Sequence, residues 1–231
     1  MIANHKIKAA LIDMDGVLYD SMPNHARAWM QVMRHAGIDA RPEEFYINEG
    51  CTGAWMIDRM IRRQFGRPAT DAEKIDLYAL KKQFFMAQPP VEVMPGAQLM
   101  IDELRARGII TVLVTGSGQS SLLNRLESDY PGAFPVERRV TSASVTHGKP
   151  HPEPYLRGLA LAGVEVSEAI GIDNAPLGVQ SAHAAGLFTI GVVTGPIPDD
   201  ELAAAGADIV YNSMPACAKS ISQLLDSMVN L

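Results

Sequence analysis

The sequence contains few cysteines and no long uninterrupted apolar segment. Two cysteines, Cys51 and Cys217, occur in 231 residues, too few for the disulfide framework typical of small secreted domains. No apolar run approaches the roughly 20 residues that span a bilayer. The apolar residues before Asp13 also form too short a run for a signal peptide. We therefore expect a cytoplasmic protein with no membrane partner.

Positive charge is scarce as well. Lys and Arg number 20 against 26 Asp and Glu, which gives a formal net charge of −6, so we expect no nucleic-acid partner. The hydrophobic content of 47% is sufficient for a full core. The sequence does not specify an oligomeric state, and a monomer is our working expectation.

The most informative feature present is a pair of carboxylates at the end of a predicted strand. Residues 7–12 form a short, mostly apolar run that Asp13 and Asp15 follow directly. Alternate residues of an extended backbone point the same way, and open α/β sheets bind ligands beyond the carboxyl ends of their strands. Two carboxylates this close repel unless a cation or a proton lies between them. The pair predicts a metal site with one carboxylate free to attack.

The hydrophobic pattern divides the chain into two parts. Residues 21–94 carry helical periodicity without a recognisable strand, whereas helices alternate with short β-branched strands from residue 95 onward. This alternation is typical of a parallel, doubly wound α/β sheet. We predict a Rossmann-like core formed by residues 1–20 and 95–231, with an all-helical cap inserted at residues 21–94.

Polar residues also follow other predicted strands. Thr115, Gly116 and Ser117 provide hydroxyls and free backbone amides at a strand-to-helix junction, an arrangement that favours an anion. Such a segment alone is more often an ordinary loop.

A cation and two oxygen-bearing side chains complete the set. Lys149 lies in a Gly-Lys-Pro turn, and Asp173 and Asn174 end a further strand with oxygen donors that suit Mg²⁺. Each alone is more often a surface turn or a helix cap. Four such clusters at four strand ends favour phosphoryl transfer, which needs a nucleophile, a metal and donors around the equatorial oxygens.

In these motifs the chain resembles the haloacid dehalogenase superfamily of phosphotransferases over essentially its whole length. The resemblance implies that Asp13 is the nucleophile that becomes an aspartyl-phosphate. Asp15 would be the general acid and base, and its backbone carbonyl would also reach Mg²⁺. Thr115 matches the second motif of the family and Lys149 the third, so we expect both to be catalytic.

Further residues complete the predicted site. Gly116 and Ser117 are expected to bind a small phosphorylated substrate, together with His25 near the start of the cap. His25 could instead hydrogen-bond Asp15 or pack at the hinge. Asp173 and Asn174 match the fourth motif and are expected to hold the metal together with Asp13 and Asp15.

Two departures from the β-phosphoglucomutase branch, which the cap position and residues 20–29 resemble, bear on the substrate. Asn174 replaces the usual carboxylate ligand, and Glu49 stands where mutases usually carry a basic residue. We hypothesise that Glu49 ligates Mg²⁺ and restores the lost charge; the alternative is an exposed loop glutamate. Gly53 and Gly118 replace the Arg and Lys that hold the distal phosphate of a sugar bisphosphate.

With these departures, the arrangement of site residues is similar to that of the inorganic pyrophosphatases of the superfamily. Pyrophosphate is therefore the leading substrate. A β-phosphoglucomutase or a small sugar-phosphate phosphatase is the alternative. A non-catalytic sensor of a phosphorylated ligand is a third interpretation, which the intact Asp13, Asp15, Thr115 and Lys149 oppose.

Overall fold

A central parallel sheet dominates the computed structural model, which describes residues 7–118 and 120–228. Within these residues the strands are β1 (Ala9–Ile12), β2 (Ile110–Val114), β3 (Arg139–Val140), β4 (Ala169–Asp173), β5 (Phe188–Val192) and β6 (Ile209–Tyr211). Their order is β3-β2-β1-β4-β5-β6 and every neighbouring pair is parallel. The predicted doubly wound α/β fold with a helical cap is confirmed.

The register of β1 explains why the site forms where it does. β1 lies between β2 and β4, and its Ile12 is in register with both Leu113 and Ile172. Because parallel strands end at the same edge of a sheet, the segments that follow β1, β2 and β4 meet there.

Helices cover both faces of the sheet. The helices of this part are α5 (Ala97–Ala106), α6 (Ser120–Asp129), α7 (Glu153–Ala162), α8 (Pro176–Ala184), α9 (Asp199–Ala204) and α10 (Met214–Met228). Alternate strand residues point to opposite faces, so Ile12 packs in one apolar cluster and Leu11 in another. No helix among the described residues has the length and apolarity needed to cross a membrane.

The secondary-structure elements between β1 and α5 are all helices. This segment contains α1 (Met22–His35), α2 (Glu43–Ile47), α3 (Gly53–Phe65) and α4 (Asp71–Met86), which share a third apolar cluster that includes Trp29 and Phe45. The two connections to the sheet lie side by side, since the Asp20 amide donates to Glu92 and the Met94 amide to Leu18. The division at residues 20/21 and 94/95 remains our proposal for the domain boundary.

Local sequence signals mark where several elements begin and end. Thr70 and Glu73 form the capping box that the sequence predicts at the start of α4. The sequence predicts a short strand over residues 139–142, but β3 ends at Val140. There the Thr141 amide donates to the Ser144 hydroxyl and a 3₁₀ turn begins, because hydroxyl side chains compete for backbone partners. Gln119, the predicted first residue of α6, lies outside the described residues.

Candidate active site

The carboxyl ends of β1, β2 and β4 bring the predicted polar residues into one buried cluster. Asp13, Thr115 and Asp173 are each at most 3% exposed, and the Lys149 side chain inserts between the two acids. Its Nζ donates to Asp13 Oδ1 at 2.5 Å and to Asp173 Oδ2 at 2.8 Å. Burial alone would lower the pKa of Lys149, but the charges of both carboxylates outweigh it and raise this pKa. Lys149 is therefore a permanent cation in the cluster.

Asp173 is occupied by protein donors rather than pointing into open space. Its Oδ2 accepts hydrogen bonds from Lys149 and from the Tyr155 hydroxyl, the latter at 2.6 Å, and its Oδ1 accepts from the Ala175 amide at 3.1 Å. This geometry suits a residue that positions Lys149 better than the direct metal ligand we predicted. Tyr155 has no signal in the sequence that would have identified it.

Asp15 is held by the first turn of the cap. Ser21 Oγ donates to Asp15 Oδ1 at 2.6 Å, and His25 Nε2 lies 3.0 Å from the same oxygen. Burial raises the pKa of Asp15, but His25 and Ser21 together reverse the effect and lower this pKa to about 2. For His25 the sequence allows substrate binding, a hydrogen bond to Asp15 or packing at the hinge, and the structure shows the hydrogen bond to Asp15.

A buried lysine orients that histidine. Lys81 Nζ lies 2.6 Å from His25 Nδ1, and Lys81 is only 2% exposed. Burial and the Lys81 charge lower the pKa of His25. An ammonium group has no acceptor, so Lys81 donates to Nδ1 and the neutral ring carries its proton on Nε2, facing Asp15. Lys81 was missed in the sequence because its helix shows no pattern that distinguishes it from Lys82.

Glu49 reaches the cluster from the loop between α2 and α3. It is 8% exposed, so the alternative of an exposed loop glutamate is wrong. Asn174 Nδ2 donates to Glu49 Oε2 at 3.0 Å. Burial, followed by the charges of Asp13, Asp15 and Asp173, raises the pKa of Glu49 well above its ordinary value.

Two oxygens of this pair lack a partner among the described residues. Glu49 Oε1 and Asn174 Oδ1 are both buried and accept no hydrogen bond there. A buried acceptor without a partner is destabilising. Burial likewise raises the pKa of Asp13 despite the contact with Lys149. The cluster is thus short of positive charge, and its carboxylate and amide oxygens are the ligands that Mg²⁺ prefers.

A small cavity of about 60 Å³ adjoins these groups. Asp13, Asp15 and Glu49 line it together with Thr115, Gly116 and Ser117, and apolar cap residues such as Trp29, Phe45 and Met56 complete the lining. The Ser117 amide donates to Thr115 Oγ1 at 2.9 Å, which fixes this loop. The predicted substrate-binding residues Gly116, Ser117 and His25 all line the cavity.

Cap and core touch at two glycines beside this cavity. A Cβ atom at Gly116 would lie 2.2 Å from the Gly50 carbonyl oxygen. Only glycine permits this approach, so the cap lies directly on the phosphate-binding loop that we predicted.

Two histidines near Lys149 in the sequence lie outside the cavity. His147 and His151 are exposed and pair with each other, ring centroids 4.6 Å apart. Both Glu153 oxygens beside them accept backbone or Arg157 hydrogen bonds. His147 and His151 are therefore loop residues outside the candidate site.

Comparison with known proteins agrees with this geometry. The family model described as haloacid dehalogenase-like hydrolase matches residues 7–186. Hexitol phosphatase A of Escherichia coli is 30% identical over 187 residues, which covers 81% of this chain and 83% of the relative. Validoxylamine A 7'-phosphate phosphatase of Streptomyces hygroscopicus is 27% identical, covering 90% and 94%. A structure from Bacteroides vulgatus, provisionally assigned as a beta-phosphoglucomutase, superposes with a TM-score of 0.94 at 44% identity, covering 98% of this chain and 92% of that one.

Proposed function

This chain belongs to the haloacid dehalogenase-like hydrolase family, and from that premise we propose that it is a Mg²⁺-dependent phosphohydrolase acting through an aspartyl-phosphate on Asp13. Its leading substrate in this proposal is inorganic pyrophosphate. Hydrolysis of a phosphorylated compound agrees with its phosphatase relatives. The substrate itself is argued from the residues below.

The observation that carries the proposal is the buried pair formed by Glu49 and Asn174. Each side chain presents an oxygen that accepts no hydrogen bond from the described residues, and the two are joined by a hydrogen bond of 3.0 Å. Asp13 and the backbone carbonyl of Asp15 would complete the ligand set, with Asp173 supporting it through Lys149. When bound, Mg²⁺ would offset the carboxylate charges and polarise the phosphoryl oxygens.

The protein groups then account for both steps of hydrolysis. An oxygen of the Asp13 carboxylate attacks phosphorus, and the bond between phosphorus and the leaving oxygen breaks. Lys149 and the loop around Thr115 stabilise the equatorial oxygens. Asp15 next takes a proton from water, whose oxygen attacks the aspartyl-phosphate, so that phosphate leaves and Asp13 is restored.

Two features favour pyrophosphate as the substrate. The cavity of about 60 Å³ has room for a few water molecules and suits a compact ligand. Phosphate is a leaving group that depends little on a proton donor, which fits a site where Ser21 and His25 stabilise ionised Asp15.

A small sugar-phosphate phosphatase is the second candidate, favoured by the similarity to Hexitol phosphatase A. A mutase is disfavoured because Gly53 and Gly118 supply no cation for a second phosphate.

Phosphate release from a panel of substrates tests the proposal. Pyrophosphate, a hexose phosphate, a hexitol phosphate and phosphoglycolate would be compared with and without Mg²⁺. We expect pyrophosphate to give the highest kcat/KM, and release to require Mg²⁺. A preference of about tenfold for a sugar phosphate, or 1.4 kcal/mol in transition-state stabilisation, would refute the substrate assignment. Release that is independent of Mg²⁺ would refute the metal assignment.

Metal binding tests the role of Glu49 separately from turnover. Glu49→Ala should weaken Mg²⁺ binding by about tenfold or more in isothermal titration, whereas Glu43→Ala, an exposed glutamate of the same cap segment, should not. Adding Asn174→Asp to Glu49→Ala should recover part of the affinity, because it returns a carboxylate to the core. If Glu49→Ala leaves Mg²⁺ affinity unchanged, Glu49 is not a ligand.

A further inference from the structure

Tyr78 of α4 crosses from the cap to the core and forms one wall of the cavity. Its ring lies directly over Gly53 at the start of α3, where a Cβ atom would be 2.2 Å from Tyr78 Cδ2 and 2.3 Å from Cε2. The two helices pack so closely here because position 53 has no side chain. Any larger residue at Gly53 would displace the ring.

The other end of Tyr78 reaches the core loop after β2. A Cβ atom at Gly118 would lie 3.3 Å from the Tyr78 hydroxyl oxygen, so this hydroxyl lies against the Gly118 backbone. Tyr78 therefore occupies the space that opens between two glycines, one on each side of the cap-to-core junction.

Neighbouring side chains hold the ring in place. The Trp29 and Tyr78 ring centroids are 6.4 Å apart at an interplanar angle of 34°, and Lys82 Nζ lies 5.3 Å from the Tyr78 centroid. Moving the ring would break these contacts. A ligand that needs this space must therefore displace a packed aromatic group.

We propose that Tyr78 is a specificity-determining residue that limits the size of the leaving group, because it closes the cavity between Gly53 and Gly118. The inference rests on the proposed phosphohydrolase function and extends it: compact leaving groups such as phosphate are accepted, and six-carbon sugars are excluded. Position 78 thus determines substrate choice while taking no part in phosphoryl transfer.

The test is a comparison of phosphate esters that differ in size. We would measure kcat and KM for phosphoglycolate, glycerol 1-phosphate and a hexitol phosphate. The proteins would be the unmodified enzyme, Tyr78→Ala, Tyr78→Phe and, as a control, Ile75→Ala. Ile75 lies on the same helix, is 68% exposed and does not line the cavity.

Tyr78→Ala should raise the ratio of kcat/KM for the hexitol phosphate over phosphoglycolate by about tenfold or more, chiefly through a lower KM for the larger ester. Tyr78→Phe keeps the ring and should change the ratio less than about threefold; Ile75→Ala should leave it unchanged. An unchanged ratio in folded Tyr78→Ala would overturn the inference.

A second set of variants keeps the inference testable if Tyr78→Ala does not fold. Gly53→Ala should lower kcat/KM because its Cβ collides with the ring, and Gly53→Ala combined with Tyr78→Leu should restore it. Failure of this rescue would overturn the inference, because the contact with Gly53 is what places the Tyr78 ring in the cavity.

The size series also separates this inference from the proposed substrate. It contains no pyrophosphate, so an unchanged ratio sinks the role of Tyr78 alone. A preference of the unmodified enzyme for phosphoglycolate over pyrophosphate would refute the substrate proposal alone, because phosphoglycolate is also a compact ester.

Discussion

Replacing Lys81 with methionine should make the protein more stable and less active. Lys81 is 2% exposed and its Nζ lies 5.0 Å from the Phe85 ring centroid and 5.7 Å from that of Trp29. Methionine has a similar length and fits apolar surroundings of this kind. The substitution removes a buried charge and also the hydrogen-bond donor to His25.

The expected gain in the free energy of unfolding follows from the pKa of Lys81. Burial lowers the pKa of Lys81 from 10.5 to about 8, although the charge of Asp15 opposes the shift. At about 1.4 kcal/mol per pKa unit, the charged form is disfavoured by roughly 3 kcal/mol at pH 7. Because the hydrogen bond to His25 is lost as well, we expect Lys81→Met to raise the free energy of unfolding by about 1–3 kcal/mol.

The sign of the pH dependence provides an independent check. Between pH 8 and pH 10.5 the unfolded chain holds the Lys81 proton and the folded protein does not, so stability from this group rises with pH over that interval. The free-energy cost of burying the charged Lys81 is fully present below pH 8. The stability advantage of Lys81→Met should therefore shrink as the pH is raised from 8 to 10.5.

Urea denaturation at pH 7 and at pH 10 would measure both effects, with Lys82→Met as the matched control. Lys82 is the exposed neighbour on the same helix, and the same substitution there should leave stability within about 0.5 kcal/mol. We also expect kcat to fall about tenfold in Lys81→Met, since His25 is no longer held against Asp15. The reasoning would be refuted if Lys81→Met were no more stable than the unmodified protein at pH 7 and the difference in unfolding free energy between them did not change at pH 10.

Two further substitutions test the catalytic centre and the cap contact. Asp13→Asn should abolish turnover and prevent a stable phosphoryl label on the protein, as measured by phosphate release and mass spectrometry; residual turnover would exclude the covalent step. Gly116→Ala should lower kcat/KM about tenfold, because its Cβ would lie 2.2 Å from the Gly50 carbonyl oxygen. An unchanged kcat/KM would show that this contact is irrelevant to catalysis.

Local patterns were sufficient for the fold and for the residues at the strand ends. The apolar run before Asp13 is β1, and Thr115 and Asn174 each directly follow a strand of the sheet. These signals are reliable because strand periodicity and strand ends depend on residues close together in the chain. The extent of β3 was overpredicted, since the hydroxyls at residues 141–144 form their own turn.

The sequence by itself therefore determined the parallel α/β sheet, the helical cap and the four clusters that meet at one edge of the sheet. Only the tertiary structure decided how these groups are paired. Lys81 contacts His25 across 56 positions, Asn174 contacts Glu49 across 125, and Lys149 contacts Asp13 across 136. Such partners leave no local periodicity, because burial and hydrogen bonding between segments distant in the sequence arise only once the chain has folded.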